Sequence, residues 1–217
     1  MEDIKQAAGQ SVPISRYLLA LVMATALFVA VFLAVYSISY LNYEETVAEQ
    51  NIIRTYISDF DSLLILQKSC DVSVLVQASE KLDRVGWRLS LLETRFGKND
   101  ARVLEQKSSY NELEVRHLEL VKLFQQQCKI PFVPILFFYS NKEEHKDESE
   151  RVGFVLSTLK RKSPEKVMIY SFDYNLKSEL IRELKEKYRV KEAPIVLVNE
   201  SYFAKVSNID ELLPYIS

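Results

Sequence analysis

Hydrophobic and polar positions follow three different rhythms along this chain, and each predicts a different kind of element. From Tyr17 to Tyr43 the sequence "YLLALVMATALFVAVFLAVYSISYLNY" runs 27 residues without a charge. About 20 apolar residues at a 1.5 Å rise already cross a hydrocarbon core of roughly 30 Å, so the run predicts a transmembrane helix. It is longer than the roughly 7 to 15 residues of a signal-peptide core, and the anchor is expected to stay. Tyr17 at one end and Tyr36, Tyr40 and Tyr43 at the other suit interfacial aromatic belts. Ile53, Ile57, Phe60 and Leu64 then recur at helical spacing, with no proline or glycine before Cys70. The membrane helix is therefore expected to continue outward as a stalk.

The second rhythm alternates threes and fours. Leu75, Ala78, Leu82, Val85, Leu89, Leu92 and Phe96 form the seam of a helix packed against another helix. "FGKND" (Phe96 to Asp100) supplies a glycine to end that helix and an aspartate to cap the next, where Val103, Tyr110, Leu113, Leu120 and Phe124 continue an apolar face. In an antiparallel hairpin, facing residues have a nearly constant sum of numbers, here near 198 for a turn centred near residue 99. That sum pairs Val85 with Leu113, Leu89 with Tyr110 and Phe96 with Val103. It also pairs Cys70 with Cys128, the only cysteines in the chain. A disulfide at the base of the hairpin is expected, given an oxidising exterior. The same seam could serve an intermolecular coiled coil and make a homo-oligomer, although the short turn at Gly97 favours pairing within the chain.

The third rhythm begins at Pro131. "PILFFYS" (Pro134 to Ser140), "KVMIYSFD" (Lys166 to Asp173), "APIVLVN" (Ala193 to Asn199) and "SYFAKV" (Ser201 to Val206) have strand length and composition. Between them lie an amphipathic helix carrying Val152, Val155, Leu156 and Leu159 and a second, "SELIRELKEKY" (Ser178 to Tyr188). "NIDELLPYI" (Asn208 to Ile216) reads as a closing helix, which makes the order βαβαββα. The fold class is α+β overall: an N-terminal transmembrane helix and a helical hairpin, followed by a C-terminal α/β domain. The expected boundaries are a tail at 1–16, the membrane helix at 17–43, the stalk and hairpin at 44–130, and the α/β domain at 131–217.

Charge adds an address and removes one class of partner. Lys5 and Arg16 precede the apolar run, while Glu44, Glu45 and Glu49 follow it with Arg54 as the first cation. The positive-inside rule then places the amino end in the cytoplasm and the C-terminal domain outside it, in a single-pass protein of the cell membrane. From Pro131 onward the chain carries fourteen residues of each sign, so no net field attracts a phosphate backbone and nucleic acid is not an expected partner. Only four glycines occur, at 9, 86, 97 and 153, in keeping with long helices and few tight turns.

Three passages of the C-terminal segment, "ILFFYS", "YRVKEAPIVLVNE" and "SNIDELLPYI", carry a resemblance to the thioredoxin-like domains. The resemblance covers roughly Pro131 to Ser217, or about two fifths of the chain. It implies a cis proline at Pro194, opening the third strand, with the backbone of Ala193 pairing with extended peptide substrates. It also implies a C-x-x-C at the start of the first helix, where the helix terminus stabilises a thiolate. Aligned on "FFYS", those two positions hold Glu143 and Lys146. A carboxylate and an ammonium cannot exchange disulfides.

The remaining candidates are quieter. Glu143, Glu144, Asp147, Glu148 and Glu150 crowd a helix start, where acidic side chains oppose the macrodipole and match no calcium-binding loop. His145 and His117 lack neighbours at ligand spacing, so neither a metal nor a cofactor is expected. Asn199, Glu200 and Ser201 form an N-x-S sequon that also suits a strand turn. Trp87 lies either against the stalk or exposed to a partner. The expected role is a membrane-anchored, redox-inactive interaction or scaffold protein that binds an extended peptide at Ala193 and Pro194. The alternative is an oxidoreductase using Cys70 and Cys128 as its dithiol.

Overall fold

A computed structural model describes residues 14–66, 70–164, 166–203 and 206–216. Most of the expected tail, with Lys5, lies outside the described residues, as do Ala204 and Lys205 of the last expected strand and the side chains of Tyr43, Glu44, Glu45 and Glu49. Two compact units result, Met1–Glu49 and Gln50–Ser217.

In the first unit, Ile14–Tyr40 is a helix long and apolar enough to cross a membrane, with exposed side chains along its length. Thr25 and Ser37 donate their hydroxyls to the carbonyls of Leu21 and Leu33, four residues back, at 2.9 and 2.8 Å. A hydrocarbon solvent requires such internal satisfaction, since no water is present to accept the proton. The helix α1 as a whole runs Ile14–Leu66.

Within the second unit the end of α1 is not a free stalk. Its stripe of Ile53, Ile57, Phe60 and Leu64 needs an apolar partner and finds one in the hairpin of α2 (Val72–Phe96) and α3 (Ala101–Cys128). Phe60 is completely buried, and Asp59–Lys81 (2.7 Å) and Asp61–Arg116 (2.8 Å) tie the three helices at their rims. The turn is built as its residues dictate. Gly97, at φ 88°, closes α2 by donating its N–H to Glu93 O, and the Asp100 carboxylate accepts from Arg102 N. At the base of the hairpin Cys70 and Cys128 are joined in a disulfide, with their Cα atoms 5.4 Å apart. The pairing is thus within one chain.

The remaining elements are β1 (Val133–Tyr139), α4 (Glu143–Lys162), β2 (Val167–Asp173), α5 (Glu179–Lys187), β3 (Ile195–Val198) and β4 (Ser201–Phe203). They form one mixed sheet in the order β2-β1-β3-β4, with β1 and β2 parallel and the other pairs antiparallel. Strand side chains alternate between faces, so β1 contributes to two cores. Val133, Ile135 and Phe137 pack with Val152, Leu156 and Leu159 of α4. Leu136 and Phe138 pack on the other side with α5 and with the helical hairpin. Double coverage is why "VPILFFY" reads as one continuous apolar run. The Ala193–Pro194 bond is cis.

One expectation needs correction. The run Asn208 to Ile216 is not one α-helix but two single 3₁₀ turns, Ile209–Glu211 and Leu213–Tyr215. Pro214 has no N–H to return to Asp210, so an α-helix cannot pass through it. Gln50–Ser217 forms one compact unit, within which the helices give way to the sheet after residue 131.

The disulfide joins residues 58 apart in sequence. By the chain-entropy argument a loop of that length restricts the unfolded state by about 4 kcal/mol. The double variant C70S/C128S should lose about that much in urea unfolding of the full chain in detergent, followed by circular dichroism. A loss under about 1 kcal/mol would mean that packing alone holds the hairpin base.

Candidate functional site

At the carboxyl end of β1 the chain turns through Ser140 and Asn141 into α4. The hairpin turn of α2 and α3 approaches the same place and leaves a cavity of about 160 Å³. Its walls come from three parts of the chain: Glu93 and Lys98 from the hairpin, Tyr139 and Asn141 from β1 and its loop, Lys146 and Ser149 from α4. Ser140 fixes the loop, since its N–H donates to Ser149 Oγ (3.0 Å) and its hydroxyl donates to Asn175 Oδ1 (2.6 Å). Continuing the antiparallel register of β1 and β3, in which Phe138 opposes Ile195, brings Tyr139 level with Pro194 and Ser140 level with Ala193. The cavity and the cis proline therefore share one end of the sheet. Ala193 is buried and Pro194 is half-buried.

Of the two positions assigned to thiols by resemblance, Glu143 is exposed on the first turn of α4, and Lys146 faces the cavity. Cys70 and Cys128 are elsewhere. Cys128 lies five positions before β1 begins, whereas α4 starts beyond the strand's far end. A strand of seven residues spans about 20 Å, which separates the bridge from the cavity. Among the described residues no group of three or more His, Cys, Asp or Glu side chains is placed to hold a metal.

Sequence reasoning missed the polar residues beneath the cavity. Lys107 of α3 is only 1% exposed, yet its ammonium meets Glu93 at 2.8 Å and Asp173 at 3.4 Å. Asn141 Nδ2 donates to the same Asp173 carboxylate at 3.0 Å. Further along α3, Glu114 Oε1 accepts the N–H of Ser171 at 2.7 Å. In the amide orientation that satisfies both ends of Asn111, its Nδ2 donates to Glu114 Oε2. Lys107, Asn111 and Glu114 recur at four and three, the spacing of a buried face, and that periodicity was the available signal.

His117 is a satisfied core residue. Ser79 Oγ gives its proton to Leu75 O (2.9 Å), so it accepts from His117 Nε2–H (3.0 Å), and Nδ1 accepts from Tyr170 O–H (2.8 Å). Burial, reinforced by the charge of Lys160, lowers the imidazole pKa to about 3 and keeps it neutral. Burial raises the carboxyl of Glu114 well above its ordinary range, only partly opposed by the Ser171 hydrogen bond. His145 is half-exposed near Glu144. Trp87 is 64% exposed, the second of its two expected environments. Asn199 and Glu200, at φ 46° and 67°, form the two-residue turn between β3 and β4, with Lys122 holding Glu200 at 2.6 Å.

Set against protein-family models, curated proteins and solved structures, the chain matches none.

The two shifted groups give stability two limbs in pH. Glu114 keeps its proton in the native state above its ordinary 4.5, so stability falls as pH rises beyond that value towards the raised native pKa. His117 takes up a proton only on unfolding, so stability falls as pH drops from 6.5 towards about 3. Between 4.5 and 6.5 the slopes oppose. The Glu114 limb runs from 4.5 up to its raised native pKa, at up to about 1.4 kcal/mol per pH unit. E114Q, which keeps an acceptor for Ser171, should flatten that limb in urea unfolding. Parallel profiles for E114Q and the parent chain would show that Glu114 is ionised in the native state.

Proposed function

We propose that this chain is a single-pass, membrane-anchored interaction protein whose segment from Pro131 to Ser217 is a thioredoxin-like domain without redox chemistry. In this reading the domain offers an extended partner peptide the edge at Ala193 and Pro194. One observation carries the non-redox half: Glu143 and Lys146 occupy the first turns of α4, where the resemblance places the thiols, and both cysteines are tied to each other beyond the opposite end of β1. The sheet order β2-β1-β3-β4, with α4 and α5 on opposite faces, supports the fold assignment. Peptide pairing beside Pro194 rests on the resemblance.

A working dithiol at Cys70 and Cys128 is the weaker reading, because such pairs depend on a tuned, low-pKa thiol beside its partner in a short motif. A closed bridge is instead typical of an oxidising compartment. Together with the charge rule, this supports a topology with Gln50–Ser217 outside the cytoplasm and the amino end inside.

Two measurements test this. A membrane-impermeant thiol reagent applied to intact cells should label Cys70 and Cys128 only after reduction; thiols that stay shielded until lysis would put the domain in the cytoplasm. A photo-crosslinking residue in place of the exposed Glu192 should capture a discrete partner in native membranes, and one in place of Thr94 on α2 should not. Equal yields at the two positions would remove the case for a peptide edge.

A further inference from the structure

The cavity at the carboxyl end of β1 contains two donors that nothing in the described structure answers. Its carboxylates are already engaged: Glu93 by Lys107 at 2.8 Å, and Glu150 by Lys98 at 3.3 Å. Lys146 is half-buried against the cavity and has no hydrogen bond or ion pair among the described residues. Ser149 is 94% buried, lines the same space, and accepts the N–H of Ser140 at 3.0 Å. Its own O–H has no acceptor among the described residues. A buried hydroxyl proton without an acceptor is a cost that native structures rarely keep. An ammonium and a hydroxyl facing one small space both require an acceptor, and the strongest available is an anionic oxygen.

We propose that the cavity receives the carboxylate of a single Asp or Glu side chain from the bound peptide, with Lys146 and Ser149 as its donors. The inference rests on the peptide-binding reading and names the chemistry that this end of the sheet selects. About 160 Å³ accommodates one such side chain with a water, whose share of liquid volume is about 30 Å³. Glu143, Glu144 and Asp147 are exposed on the first turns of α4 and repel an acidic tract at long range. The site therefore selects one carboxylate in an otherwise uncharged segment rather than an acidic run.

The test uses the full chain in detergent and acetylated, fluorescein-labelled heptapeptides of Val, Thr and Ser. A single Glu is walked through the seven positions, each peptide with a Gln twin, and affinity is read by anisotropy. In at least one register the Glu peptide should bind about tenfold more tightly than its twin. K146Q should bring that ratio to about one without weakening the Gln twin, and S149A should lower it about threefold. K146M serves as a second variant if K146Q fails to fold by circular dichroism. Gln and Glu twins that bind equally in every register would overturn the carboxylate site and leave the peptide edge standing. No binding of any peptide at millimolar concentration would overturn both.

Discussion

The structure of Gln50–Ser217 depends on how α3 closes the free edge of β2. That strand has β1 on one side only, and an unpaired edge is both costly to bury and a template for unwanted pairing. α3 answers it with side chains rather than with another strand. Glu114 takes the N–H of Ser171, Lys107 takes the carboxylate of Asp173, and His117 takes the hydroxyl of Tyr170, so three positions along β2 are each met by a polar group of one helix. Because α3 is bound to α2 along its length and to Cys70 at its end, closing this edge also fixes the hairpin, and through Phe60 the end of α1.

This arrangement was only partly legible in the chain. The hairpin could be read because every local signal agreed: the seam, Gly97 and Asp100 at the turn, and two cysteines in register. The strands were legible because β1 and β3 are covered on both faces and so are apolar throughout. The docking of the hairpin on the sheet was not. Lys107, Asn111 and Glu114 recur at the spacing of a buried face, but their side chains read as solvated until Asp173 and Ser171 are known to lie opposite. A pattern of apolar residues cannot announce a polar interface. The terminal helix failed for a simpler reason, since Pro214 outweighs the amphipathic pattern around it.

The candidate site divides in the same way. Glu143 and Lys146 could be located from "FFYS" because the distance from strand to helix is a local property. That Glu93 and Lys98, some fifty residues earlier, wall the same cavity follows only from the tertiary placement of the hairpin turn. Cys70 and Cys128 were paired correctly by local arithmetic, and their distance from the cavity then follows from the direction of β1.

The buried Lys107 explains why the hairpin turn sits at the cavity and nowhere else. Taking an ammonium and two carboxylates out of water is expensive, and well-packed apolar residues would stabilise the interface as well or better. Apolar contacts, however, are indifferent to register. Leu113, Leu120 and Phe124 could find other hydrocarbon neighbours if α3 slid one turn, about 5.4 Å, along the sheet. Lys107 could not, because the same slip would leave a buried ammonium without Asp173. We therefore read the charge cluster as a register device: it contributes little net stability, but it makes every displaced register far worse than the native one. The register it selects is the one that carries Glu93 and Lys98 to the carboxyl end of β1, so the walls of the cavity are set by a charge that never faces solvent.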